Sequence, residues 1–219
     1  MPLITEAYIF PPEERRAIDN LLAAGFTYRD WGCEELQDIR SNIRRFYRDA
    51  QRGRCPYCMK ETSILAAGNA HIEHILPKSL FQGFIFEPRN LCVICADCNT
   101  AKNNGNPIND EEEDICNGPA RIYPRSELRF KIIHPHFDNY DDHILRAGIF
   151  YIDKTDKGHF TIGICKLNIA ARRYGHDEGA LDDFSFFQLM QKLQNGDERD
   201  QREVFSTIRA LIPRPLGRG

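Results

Sequence analysis

The sequence predicts an α+β fold in which a small strand–strand–helix unit lies between N-terminal helices and a mixed α/β C-terminal region. Three observations predict it. Two Cys-x-x-Cys pairs enclose short strand-like runs, apolar residues before them recur at helical spacing, and strand-like and then helical runs follow them. We therefore divide the chain into a helical segment (1–54), a core (55–104), a linker or loop (105–118) and a strand-plus-helix region that is a candidate for partner binding (119–219).

Two helices are predicted before the first cysteine pair. Residues 11–24 begin with prolines and glutamates, which suit the exposed amides and the dipole at a helix N-terminus, and Gly25 follows as a C-terminal cap. The second helix spans about residues 33–51. Its apolar residues recur at i, i+3 and i+4 and form one stripe: Leu36, Ile39, Ile43, Phe46 and Tyr47.

Arginines recur every four residues along the second helix, at Arg40, Arg44 and Arg48. Two interpretations are open: a solvated face that forms ion pairs with Asp38 and Asp49, or a helix that faces phosphate groups. The formal net charge of the chain is −3, but its charges are segregated, with a run of five acids at 110–114. The global charge therefore does not exclude a local surface that binds phosphate.

The core reads as a compact ββα unit. Residues 70–76 suit a strand that ends at Pro77, and residues 80–89 form a loop with several aromatic side chains. Residues 90–94 read as a second strand, after which a helix opens at the second cysteine pair and runs to about Asn103.

Four cysteines are candidate metal ligands: Cys55, Cys58, Cys95 and Cys98. Two Cys-x-x-Cys pairs can surround Zn²⁺ tetrahedrally, and four thiolates leave no open position, so the predicted zinc is structural. The intervening residues 59–94 exceed the spacing of a zinc ribbon and predict a folded insertion. A redox pair or ordinary core thiols remain the alternative. The other cysteines are predicted to be free buried thiols: Cys33, Cys92, Cys116 and Cys165.

Residues 55–102 resemble the HNH, or ββα-metal, endonuclease family. The resemblance lies in CPYC at 55–58, EHILP at 73–77 and NLCVICADCNTAK at 90–102, and it covers about 50 of the 219 residues. Glu73 departs from the family pattern, since many members carry aspartate at that position. The longer side chain moves the carboxylate by one methylene, which such sites commonly tolerate.

The resemblance implies a catalytic centre, and the chemistry of the residues is consistent with it. His74 is the implied general base, because an imidazole titrates near neutral pH and can take a proton from water. Glu73 and Asn99 are the implied ligands of one Mg²⁺ or Mn²⁺, because a few hard oxygen ligands leave room for water and phosphate.

Three further residues of the segment are site candidates. Asn90 is expected to hydrogen-bond the loop backbone or to orient His74, and Lys102, one turn after Asn99, to reach a phosphate oxygen. His71 shares a strand face with Glu73. It is either an additional ligand, a residue that supports a ligand, or a structural histidine.

The region after residue 118 is predicted to hold strands at 128–133, 144–152 and 160–165, with a turn at 155–158, and helices at 168–174, 181–194 and 198–211. Residues 134–143 contain three histidines and three aspartates. A second metal site is one interpretation of that segment, and a polar loop that buttresses the core or a partner is the other.

RCPYC at 54–58, IEHILPKS at 72–79 and HPHFDNYDDHI at 134–144 together resemble the HNH nuclease subunits of bacterial anti-phage systems of the Septu and retron-associated kinds. That resemblance implies an ATPase partner subunit. The acidic run at 110–114 is either a partner contact or a solvated loop.

We expect a metal-dependent endonuclease that hydrolyses phosphodiester bonds in nucleic acid, with DNA favoured and RNA or tRNA open. The alternative is a zinc-containing module that binds nucleic acid or protein as an interaction subunit without cutting. There is no run of about 18 apolar residues and no N-terminal signal pattern. A soluble, cytoplasmic protein with no membrane contact is therefore predicted.

Overall fold

The computed structural model describes residues 1–63, 67–109, 116, 122–147, 149–174, 189–190 and 192–211. Its α-helices are α1 (Pro12–Ala23), α2 (Gln37–Ala50), α3 (Ala96–Lys102), α4 (Tyr140–His143), α5 (Asp156–Ile164), α6 (Ile169–Tyr174) and α7 (Glu198–Leu211). Strand β1 (His71–His74) pairs antiparallel with β2 (Leu91–Ile94), and β3 (Ile144–Ala147) pairs antiparallel with β4 (Phe150–Asp153). In this part of the chain no helix combines the length and apolar character that a membrane crossing needs.

Both predicted N-terminal helices are present. Helix α1 ends at Ala23, and Gly25 follows with a φ of 88°, the left-handed conformation that glycine adopts at helix ends. A short 3-10 helix (Glu34–Leu36) leads into α2. The apolar stripe of α2 faces the core: Leu36, Ile39, Ile43 and Tyr47 are buried, and Phe46 is partly buried.

The arginines at positions 40 and 44 hold α2 to its neighbours. Arg40 Nη1 donates to the carbonyls of Trp31 and Cys33 at 2.6 and 2.8 Å, and Arg44 Nε donates to Ala70 O at 2.9 Å. Neither side chain forms an ion pair within the described ranges, so the expected pairing with acids of the same helix is absent for these two arginines.

The ββα unit has the predicted order of elements. The first cysteine pair forms a tight turn closed by a bond from Met59 N to Cys55 O at 2.8 Å. Helix α2 packs against the β1–β2 pair, and the Gln51 side-chain amide exchanges bonds of 2.6 and 2.7 Å with the Val93 backbone. Helix α3 begins directly after Cys95. The α+β architecture with a ββα core is therefore confirmed.

The C-terminal region differs from the prediction at each of the three predicted strands. Segment 160–165 is not a strand but belongs to α5, and the expected turn at 155–158 is the start of that helix. Thr155 Oγ1 accepts a bond from Gly158 N at 3.2 Å, and Asp156 lies in the first turn. This N-terminal cap outweighs the β-propensity of the apolar residues that follow.

Segment 128–133 is not a regular strand either. Its first two residues belong to a short 3-10 helix (Glu127–Arg129), and Phe130 then forms one isolated bridge with Ile108. Segment 144–152 is the hairpin β3–β4 rather than one strand. The predicted helices at 168–174 and 198–211 correspond to α6 and α7, whereas most of 181–194 lies outside the described residues.

The predicted linker is packed at its start, because Ile108 is buried against the C-terminal region. The acidic run at 110–114 lies outside the described residues. None of the eight cysteines forms a disulfide in the described part of the chain, and of the four outside the pairs, Cys92, Cys116 and Cys165 are buried as predicted while Cys33 is half-buried.

The histidine-rich segment 134–143 is a brace for the core. Its bonds reach β2, where His136 Nε2 lies 2.9 Å from Leu91 O, and Tyr123, whose hydroxyl lies 2.9 Å from His134 Nε2. Asp138 accepts from His134 N at 2.6 Å and from Lys157 Nζ at 3.0 Å. Across the described ranges, only the four paired cysteines bring three or more ligand atoms together. The buttress interpretation therefore fits, and the second metal site does not.

We predict that this brace makes the fold sensitive to acid. Burial lowers the pKa of His136 from 6.5 to about 4 and that of His134 well below 6.5. The unfolded chain binds protons below pH 6.5 that the folded chain does not, so stability is lost as the pH falls from 6.5 towards 4. In urea unfolding, the free energy of unfolding should fall by about 2 kcal/mol between pH 7 and pH 5 because of His136.

His136→Gln is the matched variant, because the glutamine amide can still donate to Leu91 O but does not titrate. Any loss of metal in acid affects both proteins equally, so the difference between their pH profiles isolates His136. Parallel profiles for the two proteins would contradict the prediction.

Candidate active site and metal centre

The four paired cysteines form one buried cluster. Their sulfur atoms lie within 4.8 Å of one another, and Cys58 Sγ is 3.7 Å from Cys95 Sγ. Sulfurs at about 2.3 Å from a tetrahedral Zn²⁺ are separated by about 3.8 Å, so the cluster fits this ion. The cluster joins the knuckle at 55–58 to the start of α3 and suggests a structural zinc, as the sequence predicted.

The hairpin β3–β4 supports the first half of this cluster, a contact that sequence reasoning missed. Tyr151 Oη donates to Cys58 O at 2.8 Å, and Arg146 Nη1 donates to Met59 O at 3.2 Å. Met59 has a φ of 57°, so the knuckle backbone passes through the left-handed region at this point. No sequence signal connects these residues, because 87 to 93 positions separate the partners.

Glu73 and Lys102 form a buried ion pair at the end of β1. Lys102 Nζ lies 2.5 Å from Glu73 Oε1 and also donates to Ile75 O at 3.1 Å. Lys102 is 2% exposed and Glu73 is 8% exposed. Burial raises the pKa of the Glu73 carboxyl, and the Lys102 ammonium opposes that rise. The expected phosphate contact of Lys102 is therefore wrong in this structure: its ammonium is enclosed and positions Glu73.

Breaking this pair from one side should destabilise the fold strongly. Lys102→Met leaves the Glu73 carboxylate buried without its cation, and such a change costs about 3–5 kcal/mol. Denaturant unfolding of the zinc-loaded protein measures the loss. The double variant Glu73→Gln with Lys102→Met removes both charges and should recover much of the stability. A loss below about 1 kcal/mol for Lys102→Met alone would show that the ion pair is not formed.

His74 is a buried, neutral imidazole. It is 4% exposed, and its Nε2 lies 3.1 Å from Ile85 O. A carbonyl only accepts hydrogen bonds, so Nε2 carries the proton and Nδ1 has the free lone pair. Burial lowers the pKa of His74 to about 3, because the imidazolium would be desolvated. The imidazole is therefore neutral at neutral pH, with Nδ1 unprotonated, while the same burial lowers its basicity.

Asn90 ties together the two ends of the aromatic loop. Its Oδ1 accepts from Leu76 N at 2.7 Å, and its Nδ2 donates to Phe84 O at 2.9 Å and to Leu76 O at 3.2 Å. Of the two predicted roles, the geometry shows the bond to the loop backbone. Since Ile85 belongs to the same loop, Asn90 influences His74 only through that loop.

Neither Asn99 nor His71 forms a hydrogen bond or ion pair with Glu73 among the described residues. Asn99 is half-buried and precedes Lys102 by three positions, so the two side chains share a face of α3. Helix α3 packs against β1, which places that face beside Glu73. His71 is half-exposed, and its Nε2 lies 3.0 Å from Gly68 O. This bond supports the adjoining loop.

The arrangement offers two kinds of chemistry. The oxygens of Glu73 and Asn99 are hard ligands of the type that Mg²⁺ and Mn²⁺ prefer. His74 supplies a proton acceptor whose orientation is set by a backbone carbonyl. The cysteine cluster is separate from both functions, since its four thiolates would fill the tetrahedral positions of a zinc ion and leave none open to substrate.

Residues 55–105 match the family model described as HNH endonuclease. The matched range contains both cysteine pairs, Glu73, His74, Asn90, Asn99 and Lys102. No curated protein and no solved structure matches the chain. The match supports a nuclease-type function with binding of metal and nucleic acid for this part of the chain.

Proposed function

We propose that the protein is a divalent-metal-dependent HNH endonuclease that hydrolyses phosphodiester bonds in nucleic acid. The observation that carries this proposal is the setting of His74: its Nε2 is bound to Ile85 O, and its neighbour Glu73 is a buried carboxylate paired with Lys102. A module that only binds nucleic acid needs neither a buried neutral imidazole nor a buried carboxylate beside it.

His74 is the general base in this proposal. Its Nδ1 takes a proton from a water molecule as the water attacks the phosphorus, while Nε2–H remains on Ile85 O. The depressed pKa keeps the imidazole neutral and its Nδ1 unprotonated throughout the neutral pH range, although the same burial lowers its basicity. The carbonyl bond also stabilises the imidazolium that forms.

Glu73 and Asn99 would hold Mg²⁺ or Mn²⁺, which supplies charge neutralisation at the phosphoryl oxygens and at the leaving alkoxide. Lys102 fixes the Glu73 carboxylate and favours its ionised form. An ionised carboxylate has about four lone-pair sites, so the ion pair leaves sites for a cation. His71 and Asn90 hold the two loops that border the centre.

Helix α2 offers a surface for the phosphate backbone. Arg44 is half-buried, and its pKa is lowered mainly by desolvation. The nearby positive charges of Arg48 and Arg40 lower this pKa further. Three cations within electrostatic reach of one another, of which Arg40 and Arg44 bind only backbone carbonyls among the described residues, favour an anionic partner. This supports the phosphate-facing interpretation of the stripe.

On the sequence resemblance, we propose that the protein is the effector nuclease of a bacterial anti-phage complex with an ATPase partner. DNA is the favoured substrate, and RNA or tRNA is the alternative. The C-terminal region is the candidate for the partner contact. The alternative function, a zinc-containing interaction module that does not cut, differs in one observable: it binds nucleic acid or protein without releasing new ends.

A cleavage assay tests the proposal. The zinc-loaded chain, alone and with co-purified partners, is incubated with duplex DNA, single-stranded DNA and RNA in the presence and absence of Mg²⁺ or Mn²⁺. Cleavage is expected only with the added ion. Omitting the ion is a sharper control than chelation, because chelators also remove structural zinc. Nucleic-acid substrates that stay intact under every condition would favour the non-cutting module.

A further inference from the structure

The only tryptophan of the chain lies against the candidate general base. The ring centroids of Trp31 and His74 are 4.6 Å apart, and the ring planes meet at 79°, an edge-to-face contact. Trp31 lies outside the range 55–105 that matches the family model. No motif of the core therefore assigns this residue to the site.

The segment that carries Trp31 is held from both sides. Trp31 belongs to a short 3-10 helix (Tyr28–Gly32), which begins with a capping box between Thr27 and Asp30. Thr27 N donates to Asp30 Oδ2 at 2.8 Å. On the other side, Arg40 Nη1 donates to Trp31 O at 2.6 Å and anchors the turn to α2. Such a segment is a fixed support and not a lid.

The aromatic loop of the core completes the support. Phe86 packs against Trp31 with ring centroids 5.8 Å apart, and its neighbour Ile85 provides the carbonyl that binds His74 Nε2. The imidazole is therefore held at one nitrogen by the loop and at its ring by the tryptophan that packs on the same loop. The hydrogen bond to Ile85 O alone would still let the imidazole plane turn about the bond direction. The ring contact with Trp31 opposes that rotation.

We propose that Trp31 is a positioning residue for His74. It fixes the imidazole plane so that Nε2–H stays on Ile85 O and Nδ1 points to the attacking water. The proposal rests on the proposed nuclease function for its kinetic consequence, but the contact and the tautomer exist without it. Correct orientation of a base governs the rate of the chemical step and not the binding of substrate.

Kinetics provide the first test. Trp31→Leu should lower kcat for nucleic-acid cleavage by about tenfold to a hundredfold with KM unchanged, because a misplaced base slows only the chemical step. Trp31→Phe keeps an aromatic ring at the position and should retain most of the activity. Tyr28→Leu is the matched control: this half-buried aromatic lies in the same 3-10 helix, and its ring contacts the Arg29 guanidinium.

A spectroscopic test separates this proposal from the nuclease function. At one neutral pH, ¹⁵N NMR of the His74 ring should show a single Nε2–H tautomer in the wild type and a mixture of tautomers in Trp31→Leu. If the leucine variant does not fold, the emission of the sole tryptophan still reports the contact, since His74→Gln should change its intensity or maximum.

The outcomes are distinct. An unchanged tautomer, an unchanged emission in His74→Gln, a rise in kcat or an effect on KM alone would each overturn the positioning role. A fall in kcat as large in Tyr28→Leu as in Trp31→Leu would also overturn it. A wild-type protein that cuts no nucleic acid would contradict the nuclease function, while a tautomer change in Trp31→Leu would still support the positioning of His74.

Discussion

Replacing His74 by alanine should abolish cleavage while the protein keeps its zinc and its fold. General-base catalysis by a placed side chain contributes about 10²–10⁴-fold to the rate, so the variant should fall to the background of most gel assays. The physical reason is specific to this residue. Its Nε2–H is committed to Ile85 O, its pKa is lowered to about 3, and its Nδ1 is left to accept a proton.

The measurement is single-turnover cleavage at saturating Mg²⁺, with zinc stoichiometry and far-ultraviolet circular dichroism of every variant. His74→Gln is a second variant that fills more of the buried volume, so that a cavity does not account for the loss. His159→Ala is the control, because the His159 side chain is 80% exposed and pairs with Asp153 on the hairpin. Retained Mg²⁺-dependent cutting by both His74 variants would refute the mechanism.

The sequence predicts the ββα unit well because the information is local. Two cysteine pairs, Pro77 and the strand-like run between residues 90 and 94 each fix a short stretch of backbone, and the cluster of four cysteines closes the unit. The same is true of α1 and α2, whose apolar periodicity is carried by consecutive turns. Local patterns of this kind determine elements without reference to distant residues.

The environment of the candidate catalytic residues could not be predicted in the same way. The spacing between Asn99 and Lys102 predicts that they share a helix face but not that this face is buried. The Lys102 ammonium is stable in its enclosed position because it binds two backbone carbonyls and the Glu73 carboxylate. The contact of Trp31 with His74 joins positions 43 residues apart, between segments that no motif links. Tertiary packing decides both features.

The errors in the C-terminal region have a related cause. Segment 160–165 has the composition of a strand, but the Thr155 cap starts a helix whose Thr161 hydroxyl then donates to Lys157 O at 2.8 Å. A Cβ on Gly158 would lie 2.0 Å from His143 O, so glycine there permits close approach of α5 to the preceding segment. Such a contact between elements is invisible in a propensity scale.

Loss of one zinc ligand should unfold the core. Cys95→Ser removes a thiolate from a cluster in which Cys58 Sγ lies 3.7 Å away, and zinc binding in small domains contributes about 10–16 kcal/mol. A domain of this size has about 5–15 kcal/mol of net stability, so the loss is comparable to the whole. Zinc stoichiometry should fall below one per chain, and thermal melting should lose its cooperative transition.

The effect should extend beyond the cluster. Cys95 also precedes α3, which carries Asn99 and Lys102, so loss of the metal releases the helix that holds Glu73. The knuckle at 55–58 accepts the Tyr151 bond, so the β3–β4 hairpin loses its support as well. Cys33→Ser is the matched control, because Cys33 is half-buried and outside the cluster. A Cys95→Ser protein that keeps one zinc and a melting temperature within a few degrees of the control would show that the four thiols do not bind one zinc ion jointly. The candidate catalytic residues would then depend on the apolar core alone for their positions.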